Sequence, residues 1–80
     1  MTETGTVRIP TKGNSTKIVH YTVEADETPN PTKGLKGGKI TKLLLTLDDE
    51  EIYYYESGRT EFKDSEITWL ALASITSEMN

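Results

Sequence analysis

An unbroken run of four acids, followed after one residue by three tyrosines, holds the side chains whose types and spacing could do chemistry. The acids are Asp48, Asp49, Glu50 and Glu51. Carboxylates bind calcium when they are spaced around a glycine, as in an EF-hand loop, but consecutive acids cannot all face one ion. The run therefore predicts a solvated hairpin turn and no metal site.

The tyrosines offer contact area for a partner. Strand side chains alternate between two faces, so Tyr54 points one way and Tyr53 and Tyr55 the other, and one set should lie on an uncovered face. Tyrosine is enriched at the positions that dominate binding energy in protein interfaces. We therefore predict that a protein partner binds the four acids together with Tyr53 and Tyr55. The alternative is that the tyrosines only shield a sheet.

The sequence contains no pattern for catalysis or for a cofactor. Residues 34–39 have the glycines and lysine of a phosphate-binding loop. Their spacing is wrong, however, no Ser or Thr follows the lysine, and a strand rather than a helix is expected next. His20 is the only histidine and cysteine is absent, which argues against zinc sites and thiol catalysis. We expect a protein that is not an enzyme and has no cofactor.

Charge and length limit the classes of function. The net charge of −4 is uneven, because residues 1–47 carry seven Lys or Arg and four Asp or Glu, whereas residues 48–80 carry two and nine. An acidic domain competes poorly for phosphates, so we expect no direct binding of nucleic acid. With no apolar run of membrane-spanning length and no signal-peptide pattern, we expect a cytoplasmic protein without membrane contact. Residues 1–80 should form one domain, with residues 1–5 disordered.

The first half of the chain predicts a hairpin. Val7 and Ile9 alternate with polar residues, and Pro10 donates no hydrogen bond, so this segment should be an edge strand. A tight turn is expected at residues 13–14, Gly-Asn, where positive φ is tolerated. Residues 16–25 are rich in β-branched side chains and predict the second strand.

A long connection and a second hairpin follow. Residues 26–38 contain two prolines and three glycines, which predicts a loop that is functional or mobile. Lys39–Leu47 and Ile52–Glu56 predict strands joined by a turn at residues 48–51. This turn would pair residues on both faces: Leu47 with Ile52, Leu45 with Tyr54, Leu43 with Glu56, Thr46 with Tyr53, and Leu44 with Tyr55. Residues 59–63 would then cross to the last element.

The last element is a helix that Asp64 or Ser65 can cap. Its expected buried stripe recurs at intervals of three and four: Ile67, Leu70, Ala71, Ser74, Ile75 and Glu78. Trp69 and Leu72 lie off this stripe, so the helix is either buried over a wide arc or apolar on its outer face. The order of elements predicts an α+β domain, with a four-stranded antiparallel sheet made of two hairpins and one C-terminal helix packed on one face.

The segment GLKGGKITKLLLTL, followed by YYYESGR, resembles a family of short bacterial and phage proteins with no established activity. Their pattern is a hairpin, a loop ending in Gly-Ile/Leu-x-Gly-Gly-Lys/Arg-Ile-Ser/Thr-Lys-Leu, a strand, a Tyr-x-x-Gly segment and a final helix. The likeness covers residues 16–79 loosely and residues 34–43 closely, and Ser-Gly-Arg at residues 57–59 stands where the family has Arg-Gly-Trp. The resemblance implies the same order of elements and a phage or mobile-element setting.

Residues 38–57 are also similar to the central strand pair of an anti-CRISPR protein that uses acids to occupy the DNA site of an RNA-guided nuclease. We therefore predict a non-catalytic, acidic protein-binding module that inhibits a basic, nucleic-acid-binding defence protein of a host. The alternative is a small structural or homodimerising protein that uses the uncovered sheet face. A monomer and a homodimer are both compatible with the sequence.

Overall fold

The computed structural model describes residues 2–80 and consists of one antiparallel sheet with one helix packed on it. Its elements, in chain order, are β1 (Thr2–Pro10), β2 (Thr16–Ala25), β3 (Ile40–Leu47), β4 (Glu50–Glu56), β5 (Arg59–Phe62) and α1 (Glu66–Met79), with 3-10 turns at Lys12–Asn14 and Leu35–Gly37. The strands lie in the sheet in chain order. The α+β class, the antiparallel sheet and the C-terminal helix are confirmed, but the sheet has five strands and not four.

The first hairpin begins earlier than predicted. Thr2 pairs with Glu24, and the ladder runs the whole length of β1. Residues 2–5 are therefore paired rather than disordered, because β2 is long enough to give each of them a partner. Met1, the remaining residue of that segment, lies outside the described residues. The other predictions for this hairpin are confirmed. β1 lies at the edge of the sheet, β2 has the predicted bounds, and residues 13–14 have positive φ.

The second hairpin has a tighter turn than predicted. Asp48 and Asp49 alone form it, with φ of 52° and 63°, and the two glutamates that follow belong to β4. Left-handed φ at both central positions is typical of the two-residue turn whose twist matches that of the flanking strands. Ile52 is the extra residue of a β-bulge that follows in β4 and increases the local twist.

These two features make the predicted pairing of the second hairpin wrong. The observed pairs along the tyrosine run are Leu43 with Tyr55, Leu44 with Tyr54, and Leu45 with Tyr53. Each tyrosine is displaced by one position from its predicted partner, and a shift of one residue exchanges the faces of a strand. Tyr53 and Tyr55 therefore share the face of Leu43 and Leu45, and Tyr54 shares the face of Leu44.

The fifth strand was predicted to be a crossing segment. Residues 57–58, Ser-Gly, form a second two-residue turn with φ of 47° and 91°, which folds β5 back onto β4. Thr60 lies opposite Tyr55, and Phe62 lies opposite Tyr53. β5 is therefore an edge strand with Phe62 on the same face of the sheet as the buried tyrosines.

The helix is capped as predicted but turned relative to its predicted stripe. The Ser65 side chain accepts a hydrogen bond from the Thr68 N–H. The buried residues of α1 are Thr68, Ala71, Leu72 and Ile75. Ile67 is half-buried and packs against the core, whereas Leu70 is 44% exposed, so the expected stripe is wrong at Leu70. Thr68 can face the sheet because its hydroxyl shares a hydrogen bond with Ser65, which satisfies the buried polar group.

The core lies between α1 and one face of the sheet. The helix packs against β1 and β3. The largest fully buried side chains are Val19, Val23, Ile40, Leu43, Leu45, Thr68 and Ile75. The opposite face of the sheet carries no covering element among residues 2–80. Within the same residues, no helix has the length and apolar character needed to cross a membrane.

The long connection between β2 and β3 is held by its own hydrogen bonds. The Asn30 side-chain oxygen accepts from the N–H groups of Thr32 and Lys33. The Gly34 N–H donates to the Asn30 carbonyl at 2.8 Å. Leu35 is 5% exposed and belongs to the core. The connection is therefore a packed part of the domain.

Two side chains from distant positions tie this connection to the sheet and the helix. The Tyr55 hydroxyl donates to the Lys33 carbonyl at 2.7 Å. Asn80 donates from Nδ2 to the Leu35 carbonyl at 2.9 Å, and its Oδ1 accepts from the Ile40 N–H at 3.0 Å. The end of α1, the connection and the start of β3 are thereby joined by one amide side chain.

Candidate interaction surface

The four acids of the β3–β4 hairpin are exposed to solvent. Glu50 contacts the ammonium group of Lys63, whereas the other three acids form no salt bridge with any residue from 2 to 80. The two aspartates border a shallow depression on the uncovered face that Arg8 and Lys17 also line. Three of the four carboxylates are therefore unpaired within the described chain and accessible to a partner.

Tyr53 and Tyr55 do not accompany the acids on the surface. They are 3% and 5% exposed, because the observed register places them beside the core leucines. The tyrosine that the alternation leaves on the uncovered face is Tyr54, so Tyr53 and Tyr55 are not exposed. Binding of a partner by Tyr53 and Tyr55 stays a prediction, and it would require displacement of the side chains that cover them. Burial raises the pKa of the Tyr53 hydroxyl above its usual value of 10.0, and the neighbouring Tyr55 adds to the increase.

Tyr54 is the tyrosine on the uncovered face. It is half-buried, and its hydroxyl donates a hydrogen bond to the Glu56 carboxylate. This hydrogen bond is the main reason that the pKa of Tyr54 is raised. Leu44 lies opposite Tyr54, and Ile18, on the same face, is 47% exposed. The uncovered face thus carries apolar side chains among polar ones.

The exposed aromatic side chains are Phe62 and Trp69. They are 52% and 40% exposed, and their ring centroids lie 4.9 Å apart with the ring planes inclined at 60°. The Trp69 indole N–H donates to the Asp64 carboxylate at 2.8 Å, which fixes the orientation of the ring. An inclined pair at this separation is a favourable arrangement for two aromatic rings. The pair therefore forms an ordered apolar patch at the edge of the sheet.

This aromatic pair is linked to the acidic run through Lys63. The Lys63 N–H donates to the Ile52 carbonyl at 2.9 Å, so the chain that leaves Phe62 runs along the start of β4. The contact between Lys63 and Glu50 joins that chain to the acidic run. Two further exposed acids, Asp64 and Glu66, stand where α1 begins. We call the four acids, Phe62, Asp64, Glu66 and Trp69 the acidic-aromatic surface.

Sequence reasoning found the acids of this surface but missed its aromatic part. The alternation in residues 59–62, Arg-Thr-Glu-Phe, is the period-two pattern of a strand, and the Ser-Gly pair before it is a hairpin-turn signal. Those two signals identify β5 and place Phe62 on a definite face. Trp69 was noted only as lying off the expected helical stripe.

Among residues 2–80, no three His, Cys, Asp or Glu side chains are grouped so that they could hold a metal ion. The chain matches no protein-family model, no curated protein and no solved structure at a significant level. The functional argument therefore depends on the geometry of the acidic-aromatic surface.

Proposed function

We propose that this protein is a non-catalytic module that binds a basic partner protein through the acidic-aromatic surface. The observation that carries the proposal is the adjacency of exposed acids and exposed aromatic rings, joined by the contact between Lys63 and Glu50. Residues 48–66 carry eight Asp or Glu and two Lys or Arg. A surface of this composition is electrostatically complementary to a basic one.

The two kinds of side chain have separate effects on binding. Exposed charges steer the encounter, so they govern the association rate and its dependence on salt. Aromatic rings that become buried in a complex govern its lifetime, because most affinity within one interface is expressed in the dissociation rate. Phe62 and Trp69 thus take the role that the sequence assigned to Tyr53 and Tyr55.

The class of partner and the biological setting come from the resemblance of residues 34–43 and 38–57. We propose an inhibitor, encoded by a phage or a mobile element, that acts on a nucleic-acid-binding defence protein of the host. Clustered carboxylates in front of a basic groove compete with phosphates for the same Lys and Arg side chains. Binding to such a partner should therefore exclude its nucleic acid.

The proposal is tested by comparing two variants on one partner. Affinity capture with the wild-type chain, and with Asp48→Asn, Asp49→Asn and Glu51→Gln combined, identifies the basic proteins that only the wild type retains. With one such protein purified, association and dissociation rates are measured at two salt concentrations. The neutralised variant should associate more slowly, with a weaker dependence on salt.

The aromatic variant, Phe62→Ala with Trp69→Ala, should associate at the wild-type rate and dissociate faster. Ser77→Ala, an exposed position on α1, is the control and should change neither rate. Wild-type rates in both test variants would show that the interface lies elsewhere. Failure of the complex to exclude nucleic acid from the partner would contradict the inhibitory role.

A second candidate function is homodimerisation through the uncovered sheet face. The observation that favours it is the apolar content of that face, where Ile18 is 47% exposed and Leu44 and Tyr54 are only half-buried. Light scattering after size exclusion distinguishes the two candidates. A single species of monomer mass across the concentration range would contradict the dimer, and a dimer disrupted by Ile18→Lys would support it.

A further inference from the structure

The two basic side chains within residues 48–66 are both held by acids. The Arg59 guanidinium lies 3.3 Å from the Glu61 carboxylate on the same strand. The Lys63 ammonium contacts the Glu50 carboxylate, which belongs to β4. Of the two ion pairs, only the second joins the acidic run to another segment of the chain. Within the described chain, Lys63 is therefore the base that forms a salt bridge with the acidic run.

Lys63 is held in this position by the backbone as well as by its side chain. Its N–H donates to the Ile52 carbonyl at 2.9 Å, so the residue stays beside the start of β4 whether or not the ion pair is formed. The side chains of Lys63 and Glu50 are 55% and 61% exposed. Ion pairs with this much exposure to water are weak. A charged group from outside can therefore reach Glu50 and displace the Lys63 ammonium while the strand remains in place.

We propose that Lys63 competes with the basic side chains of a partner for the Glu50 carboxylate. This inference rests on the proposed function and assigns Lys63 a role in specificity at the same surface. In the free chain, Lys63 occupies Glu50. The other three acids of the run form no salt bridge within the described chain. A Lys or Arg of the partner pairs with those three acids directly, but it pairs with Glu50 only by displacing Lys63.

The competition makes binding more selective. Four unpaired carboxylates side by side would attract basic surfaces of many kinds, since this attraction requires no detailed fit. The Lys63 ammonium opposes every one of them by a similar amount. Only a partner that gains further contacts, with the remaining acids and with the rings of Phe62 and Trp69, retains a high affinity. An unfavourable element of this kind is a common basis of specificity.

A purely structural ion pair leads to a different expectation. If Lys63 served only to hold its segment to β4, loss of its charge would change stability, and binding would change only through the net charge of the chain. Substitution of another exposed lysine would then have the same effect on binding. Competition, by contrast, requires that the effect of Lys63 on binding depends on the presence of Glu50. Binding measurements on matched variants separate the two cases.

The experiment is a titration of the full chain with a blocked oligolysine peptide at low salt, followed by the amide NMR signals. Lys63→Gln should lower the dissociation constant about two- to fivefold, the factor expected for release of an exposed ion pair. Lys63→Arg keeps the charge and should bind no more tightly than the wild type. Lys36→Gln is the matched control, because this exposed lysine changes the net charge equally but lies at the opposite end of β3 from the acidic turn. Its effect should be clearly smaller.

Glu50→Gln is then introduced alone and together with Lys63→Gln. Competition predicts that it weakens binding more in the Lys63→Gln background, because only there is the carboxylate open to the peptide. Equal losses in the two backgrounds, or equal gains from Lys63→Gln and Lys36→Gln, would overturn the inference. No binding of the peptide to the Lys63→Gln variant would also overturn it.

Two further measurements keep the result unambiguous. Amide spectra of the free variants that match the wild type away from residues 50–63 show that the fold is retained. The proposed function fails separately, when Asp48→Asn, Asp49→Asn and Glu51→Gln combined leave binding of the peptide unchanged.

Discussion

The two ends of α1 differ in how closely the rest of the chain packs around them. At the C-terminal end, the Asn80 side chain bonds to both Leu35 and Ile40. A Cβ atom at Gly38 would overlap Asn80, so glycine is required for this approach. Leu35 and Ile40 are 5% and 0% exposed. This end is a packed junction between the helix, the long connection and β3.

At the N-terminal end the apolar side chains are left in solvent. Trp69, Leu70 and Phe62 are each at least 40% exposed. We call this the open end of α1 and the junction at Asn80 the closed end. The difference shows that length and composition of a loop do not identify its role. The glycine- and proline-rich connection supports the fold, whereas the short segment at residues 59–63 carries the candidate site.

The largest effect should come from the packed side of the helix. Ile75 is 2% exposed, and Ile75→Ala should lower the free energy of unfolding by about 2–4 kcal/mol, because it leaves a cavity. Leu70→Ala, at the open end, should change it by no more than about 0.5 kcal/mol. Urea unfolding curves measure both. Equal losses would mean that the helix packs by a different face.

The amide bridge at the closed end should have the next largest effect. Asn80→Ala removes two hydrogen bonds and should lower the free energy of unfolding by about 1–3 kcal/mol. Ser77→Ala, exposed on the last turns of α1, is the control. Thermal unfolding of the two variants decides the point. Identical melting temperatures would show that the junction does not depend on Asn80.

Tyr53 lies on the covered face of the sheet, opposite Phe62. Its hydroxyl predicts that stability depends on pH. Its pKa is raised above 10.0 by burial, so the folded chain holds this proton more tightly than the unfolded chain does. The resulting stability is complete below pH 10 and is lost as the pH rises through the folded-state pKa.

Tyr53→Phe should therefore flatten the decline of the melting temperature above pH 10. Tyr54→Phe is the comparison. The pKa of Tyr54 is also raised, through its hydrogen bond to Glu56, but this group faces solvent, so the effect of the substitution should be smaller. A larger effect for Tyr54→Phe would show that ionisation of the exposed hydroxyl, and not of the buried one, determines the stability at alkaline pH.

The smallest effect is expected for the ion pair at the open end. Both side chains of the pair between Lys63 and Glu50 are more than half exposed, so Glu50→Gln should cost no more than about 1 kcal/mol, and less at high salt. Asp49→Asn, which removes an acid without an ion pair among residues 2–80, is the control. A loss of several kcal/mol for Glu50→Gln would show that this end is held as firmly as the other.

Local sequence patterns were sufficient to predict the elements whose ends depend on nearby residues. The proline that ends β1, the β-branched run of β2 and the cap at Ser65 each act over a few residues, and each was predicted. The pairing of the tyrosines was not predictable in this way. It depends on whether the acidic turn uses two residues or four, and composition alone does not decide between them.

The same limit explains the candidate site. The four acids are exposed, as predicted, although Glu50 and Glu51 belong to β4 and not to the turn. Which tyrosines are exposed depends on a register set by the left-handed φ values at Asp48 and Asp49 and by the bulge at Ile52. The rotation of α1, which leaves Trp69 half in solvent, depends on Thr68 finding a partner in Ser65.

Amide hydrogen exchange of the chain, free and bound to a purified basic partner, tests the central claim most directly. If the open end is the binding surface, the partner should slow exchange at residues 48–51 and 59–70 and leave residues 26–38 unchanged. Protection confined to residues 26–38, with residues 59–70 exchanging as in the free chain, would contradict the account.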